Sequence, residues 1–204
     1  MARPKSATHE LQREAILDVA AQCFAQRSYV AASMNDIAAA CGTSKARLYH
    51  YYGSKEAILF DLLDRYTQHL LAIIGQTEAS AQRKNLDDCA ALHELIRNFL
   101  AQYETSATRH SALLGDTRFL GDVQRELILD RQRDVVSAMT RFLKRAYPQR
   151  ITPANQTAVT MMLFGMLNWT FTWLRPNGPM SYRDYADEVV AMLERGLARE
   201  AGEF

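Results

Sequence analysis

Lys45, Arg47, Tyr49, His50, Tyr51 and Tyr52 fall within eight positions, and Gly53-Ser54-Lys55 follows at once. Cations and phenols packed this densely suit contact with a polyanion. Lys45 and Arg47 have the reach for base edges, and arginine on guanine is the commonest specific contact of that kind. Tyr49 and His50 carry phosphate donors on flat, stiff rings. Three tyrosines cannot all turn inward from one short helix, because adjacent residues are about 100° apart. Leu48 and Tyr52, one turn apart, are expected to anchor the helix to a core.

These side chains need elements to aim them. Ser33-Met34-Asn35-Asp36 has capping-box form, with Asp in place of the usual Glu or Gln, and opens a helix whose Met34, Ile37, Ala38 and Cys41 face a core. Gly42, free to take the left-handed conformation, stops it. Ser44 caps the next helix, which ends near Tyr52, and Ser54 caps another running to about Gly75. Two short helices joined at Gly42-Thr43-Ser44 have the spacing of a helix-turn-helix, whose second helix enters the major groove. Ser33 and Ser54 then lie at helix N-termini, where N–H groups and the dipole attract phosphate, with Lys55 adding a cation. Thr43 and Ser44, at the turn, complete the expected DNA-binding set of Ser33, Thr43, Ser44, Lys45, Arg47, Tyr49, His50, Ser54 and Lys55.

Composition neither demands nor forbids such a partner. The 204 residues carry a net charge of +1. Residues 1–56 hold seven Lys/Arg against five Asp/Glu, a bias too weak to imply nucleic acid alone. Three cysteines, at 23, 41 and 89, leave an odd thiol, as expected in a reducing compartment. Cys23 and Cys41 fall on apolar helical positions and are expected to behave as small hydrophobes. The N-terminus lacks an apolar signal region. "MMLFGMLNWTFTWL" is too short to span a bilayer, which takes about 20 residues. A cytoplasmic protein with no membrane partner is expected.

No proline occurs between Pro4 and Pro148, and the 3.6-residue periodicity predicts an all-α chain. The first helix is expected over about 8–27. Beyond the stretch already described, Asp87 opens a helix carrying Leu92, Leu95, Ile96, Phe99 and Tyr103. A short element near 109–118 precedes a long helix from about Asp122 to Tyr147. Another runs from Pro153 to Leu174 and a last one over 181–200, giving nine helices. Helix 153–174 is apolar almost all round and must be covered on every side, by its own core and by a second subunit. Homodimerisation through 153–174 and 181–200 follows.

Polar residues on apolar seams are candidate ligand contacts. Gln124 and Arg131 interrupt the series Gln124, Ile128, Arg131, Val135, Ala138, Phe142, and Asn168 interrupts the apolar helix. A buried polar group needs a partner, which a ligand or the fold itself can supply. Phe99, Tyr103, Phe119 and Trp169 are candidate pocket walls or plain core. Nothing suggests an enzyme: His9, His50, His69, His93 and His110 lack metal spacing, and no G-x-S-x-G, G-x-G-x-x-G or P-loop occurs. No metal and no cofactor are expected.

Residues 10–60, "AILDVAAQCFAQRSYVAASMNDIAAACGTSKARLYHYYGSKEAIL" within them, resemble the DNA-binding domain of the TetR/AcrR family of bacterial repressors. Ile37-Ala38, Leu48-Tyr49-x-Tyr51 and Ser54-Lys55-Glu56 carry the likeness. Two positions depart from it. Tyr29 stands where Gly is usual, and Arg47 where a small residue is common, so Arg47 is expected to tune operator choice. The resemblance implies a DNA-binding domain over 1–53 and an effector-binding and dimerisation domain over 54–204, with helix 54–75 connecting them. It implies a repressor released from a palindromic double-stranded operator by a small effector.

Residues 164–197, with Gly-Met-x-Asn-Trp and Trp-x-Arg-Pro-x-Gly-Pro, look like the C-terminal segment of members that respond to acyl-CoA thioesters. That implies an acyl-CoA effector, such as phenylacetyl-CoA or another degradation intermediate, among Phe99, Tyr103, Phe119, Gln124, Arg131, Asn168 and Trp169. Arg118 and Arg175 are candidates for its phosphates by type. A hydrophobic drug-like or aromatic ligand, or a helical carrier that does not touch DNA, are the alternatives.

Overall fold

The computed structural model describes residues 4–198, and every regular element in them is helical. In chain order these are α1 (Pro4–Ala31), α2 (Met34–Ala40), α3 (Lys45–Tyr51), α4 (Lys55–Lys84), α5 (Asp88–Thr105), α6 (Ala107–Gly115), α7 (Asp122–Ala146), α8 (Gln156–Asn168), α9 (Thr170–Trp173) and α10 (Tyr182–Ala198). A 3-10 turn, Thr117–Phe119, lies between α6 and α7. Only Trp169 separates α8 from α9, so the two form one interrupted helix, and the all-α chain has nine among the described residues.

The chain forms two compact units. The first holds the described residues through Thr67 together with Thr108–Leu129, and the second Gln68–Ala107 with the described residues from Asp130. The first is built on Ile16, Leu17, Ala20, Ala21 and Phe24 of α1, Ile37 of α2, Leu48 of α3 and Ile58, Leu59, Leu62 and Leu63 of α4, all buried. In the second, Leu92, Leu95, Ile96 and Phe99 of α5 are fully buried, and α10 packs on α5.

Helix α1, expected over about 8–27, extends over Pro4–Ala31 with a non-helical kink at Ser28, and three later boundaries also differ from expectation, each for a local reason. Helix α4 runs past Gly75 to Lys84. A helical glycine costs roughly 1 kcal/mol but does not end a helix whose neighbours are buried. The stop is Asn85, at φ 51°, where Asn85 N–H bonds Gln82 O and Leu86 N–H bonds Ala81 O. That pair of bonds is a Schellman ending with Asn in the left-handed position. The helix expected from Pro153 begins at Gln156, because Asn155 spends its side-chain oxygen on Thr152 N–H and Pro153 lies in the lead-in turn. The third difference is the break at Trp169. There the Thr170 hydroxyl donates to Leu167 O, and the Tyr185 hydroxyl to Met166 O at 2.9 Å, satisfying carbonyls near the break.

No described helix is long and apolar enough to cross a membrane.

Candidate nucleic-acid interface

The local chemistry around α2 and α3 forms as the sequence predicts. Asp36 N–H donates to Ser33 Oγ and Ser33 N–H donates to Asp36 Oδ2, closing the capping box. At the other end Gly42 takes φ 62°, with Gly42 N–H on Ala39 O and Thr43 N–H on Ala38 O. Ser44 then caps α3 by accepting from Arg47 N–H at 3.2 Å.

Leu48 is the buried residue of α3, with no exposed surface, and this fixes which face points out. Lys45, Arg47, Tyr49 and His50 are exposed. Lys45 Nζ lies 5.9 Å from the Tyr49 ring centroid, so cation and phenol share one patch. Tyr51 turns sideways, its ring 4.9 Å from that of His9 and 5.7 Å from that of His50. Among the described residues, no hydrogen bond or ion pair engages the side chains of Arg47, Tyr49 or His50. Ser54, exposed, caps α4 by accepting from Ala57 N–H at 3.0 Å. Four exposed donors on α3 and the start of a 30-residue helix just beyond it can therefore meet an anion without disturbing the fold.

Two expected contacts are corrected. Ser33 shares the N-terminus of α2 with the Asp36 carboxylate, to which its hydroxyl donates at 2.6 Å. Hydrogen bonds from the Ser33 hydroxyl and N–H hold the Asp36 carboxyl below its ordinary pKa, and Arg27 pairs with it at 2.8 Å. A phosphate there would meet a fixed negative charge. Lys55 is turned inward: its Nζ donates to the carbonyls of Tyr29 at 2.6 Å, Ala32 at 2.7 Å and Val30 at 3.3 Å. It also lies 4.4 Å from the Tyr29 ring centroid. These carbonyls follow Ser28, at φ 67° and ψ 156°, a conformation that costs a non-glycine residue about 1–3 kcal/mol. Lys55 clamps the turn that follows this strained residue.

The expected ligand contacts are divided between the two units. Phe119 and Gln124 belong to the first unit; Phe99, Tyr103, Arg131, Asn168 and Trp169 belong to the second. Phe99 and Tyr103 are buried and stacked at 6.0 Å, with Phe164 6.4 Å from Phe99. Burial pushes the Tyr103 phenol pKa up, and its hydroxyl donates to Asn168 Oδ1 at 3.3 Å. Gln124 Oε1 is buried without a hydrogen-bond partner. Arg131 is half-buried and engaged. Phe119 stacks on Tyr29 at 5.0 Å under the Arg118 guanidinium, and Trp169 is 59% exposed against Phe171.

Sequence reasoning missed the polar partners of Tyr52. Its ring is buried as predicted, but its hydroxyl donates to Asp61 at 2.6 Å. Asp61 lies on the next helix, and no spacing rule links the two. Burial alone would raise the Asp61 pKa, but hydrogen bonds from Tyr52 and Arg65 and the charges of Arg65 and Arg13 lower it. Burial pushes all three cysteine thiols up, Cys23 and Cys41 as the apolar reading implies. Among the described residues no cluster of His, Cys, Asp and Glu is placed to hold a metal.

Comparison with known proteins adds the following. A family model described as bacterial regulatory proteins, tetR family, matches residues 16–62, and one described as tetracyclin repressor-like, C-terminal domain, matches 85–197. The HTH-type transcriptional repressor KstR2 of Mycolicibacterium smegmatis is 22% identical over 198 residues, 94% of this chain and 93% of that one. A TetR-family transcriptional regulator from Bordetella parapertussis aligns with TM-score 0.82 at 32% identity, over 88% of this chain and 92% of that one. The structure of AibR in complex with isovaleryl coenzyme A and operator DNA aligns with TM-score 0.76 at 25% identity, over 89% and 97%.

Proposed function

The chain belongs to the tetR family of bacterial regulatory proteins, and from that premise we propose a homodimeric repressor released from a pseudo-palindromic operator by an acyl-CoA thioester. It is a DNA-binding regulator, not an enzyme. The observation that carries the DNA reading is the exposed face of α3, with Lys45, Arg47, Tyr49 and His50 outward and Leu48 inward. Two such helices, one per subunit, would enter successive major grooves.

Arg47 and Tyr49 should separate in their effects. Arg47→Ala is expected to relax preference at one base pair per half-site, by about 1–3 kcal/mol for a bidentate contact. Tyr49→Ala should weaken binding on every sequence alike. Anisotropy titrations over a panel of single-base operator variants check both. An Arg47→Ala protein with wild-type base preference removes Arg47 from the readout.

The effector class rests on the resemblance at 164–197 and on the AibR complex, whose ligand is an acyl-CoA. The buried, unpartnered Gln124 Oε1 and the long Tyr103–Asn168 bond are polar groups that a ligand could engage. The ring cluster of Phe99, Tyr103 and Phe164 favours an aromatic acyl group such as phenylacetyl. A ligand releases DNA only if it binds better to a conformer whose recognition helices are wrongly spaced, since equal affinity shifts nothing. Calorimetry with phenylacetyl-CoA, isovaleryl-CoA, a long-chain acyl-CoA, free CoA and the free acids tests this. Tight binding confined to thioesters is expected. Binding by a free aromatic compound alone would favour the drug-like alternative, and no binding by any thioester would end the proposal.

A further inference from the structure

A continuous chain of polar side chains runs through the first unit, apart from the face that α3 turns outward. It starts at Tyr52, the C-cap of α3. The Tyr52 hydroxyl donates to Asp61 Oδ2 at 2.6 Å and accepts from Arg13 Nε at 3.3 Å, while Arg13 pairs with the same carboxylate at 2.8 Å. The other oxygen of Asp61 accepts from Arg65 Nε at 2.9 Å. The two terminal nitrogens of Arg65 reach Glu14 at 2.8 Å and Glu10 at 2.9 Å on α1. The second oxygen of Glu14 accepts from Arg109 of α6 at 2.9 Å, and Arg109 also pairs with Asp18 at 2.7 Å. Every link is within hydrogen-bonding distance, and the chain joins α3, α4, α1 and α6.

Helix α3 has seven residues and one buried anchor, Leu48. One anchor fixes the depth of so short a helix but leaves its rotation about that point loose. A binding constellation has to be held to within about 10–20° to be productive. Tyr52, one turn beyond Leu48, supplies the second fixed point, and its hydroxyl is the only polar atom that side chain offers. Asp61 and Arg109 have side chains 15% and 14% exposed, so these two members of the chain are screened less than fully exposed charges. The forked contacts of Arg65 and Arg109 add directional restraint that a point charge would not. Helix α6 matters because the chain re-enters this unit at Thr108, one residue before Arg109.

We propose that Tyr52, Asp61, Arg65, Glu14 and Arg109 are positioning residues for operator binding, a relay that sets the angle of α3 and makes it depend on where α6 lies. The proposal rests on the operator-binding reading. It assigns no DNA contact to any of the five, and that separates it from a phosphate-binding role. A lost phosphate contact flattens the salt dependence of binding by about one counterion, whereas a lost positioning contact lowers affinity at unchanged slope.

The test uses Tyr52→Phe, which removes one oxygen and keeps the buried ring, and Arg109→Ala, whose site touches Tyr52 nowhere in the relay. Each should bind operator about tenfold more weakly, the scale of one lost hydrogen bond to a charged group. The salt slope should be unchanged, and melting of the free protein should fall by no more than about 4 °C. The double variant should bind no more weakly than the weaker single one, because one relay is broken twice. Additive losses, a flattened salt slope, or wild-type affinity in either variant would overturn the relay. A wild-type chain that binds no operator would instead overturn the operator reading on which it stands.

Discussion

Met162→Asp should give a folded monomer whose affinity for a two-half-site operator is lower by about 100-fold or more, the scale on which joining two binding sites raises affinity. Met162 is 70% exposed on α8, and Met161, Trp169, Trp173 and Met192 are each at least half exposed in the same unit. Large apolar side chains in such number on one lone chain are what the proposed dimer would cover. A carboxylate at Met162 enters no core of the single chain, so the fold should survive while the covered surface becomes untenable. Val189, at 1% exposure, gives no such separation, because a charge there costs the fold itself. Sedimentation velocity and operator anisotropy on one preparation decide the matter. A Met162→Asp dimer with undiminished affinity would place the subunit contact elsewhere.

Leu48→Ala is expected to remove operator binding altogether and to cost about 2–5 kcal/mol of stability, the range for emptying a fully buried leucine site. The loss of binding should exceed what the unfolded fraction explains. Within α3 only Leu48 is buried, and Tyr52 at its C-cap holds one end but cannot replace the depth that Leu48 sets. Urea unfolding measures the first effect, and anisotropy at a protein concentration corrected for the folded fraction measures the second. A stable Leu48→Ala protein with wild-type affinity would show that α3 is held by other means.

Much of this site could be read from the sequence because its chemistry is local. The capping box at Ser33, the left-handed stop at Gly42 and the cap at Ser44 each depend on residues at most five positions apart, so their spacing alone predicts them. The outward aim of Arg47 and Tyr49 follows from the inward aim of Leu48. Contacts between distant residues could not be read in this way. Lys55 and Ser33 looked like phosphate ligands by type, but Lys55 is committed to the carbonyls of Tyr29, Val30 and Ala32 and Ser33 to Asp36. Phe119 found Tyr29, ninety positions earlier, and Tyr52 found Asp61 on the following helix. Helix α4 was underestimated because a glycine was weighted as a stop, and Asn85, the residue that adopts the left-handed conformation, was not.

The most direct test of the whole account is a single titration. Fluorescent DNA from the region flanking the gene of this protein is bound by the protein, and an acyl-CoA thioester is added while anisotropy is followed. The account predicts saturable loss of the complex with at least one thioester and none with free CoA. Measured in reverse, operator DNA should weaken thioester binding by the same factor, as linkage requires. A complex that stays intact when calorimetry shows the thioester bound would contradict the account.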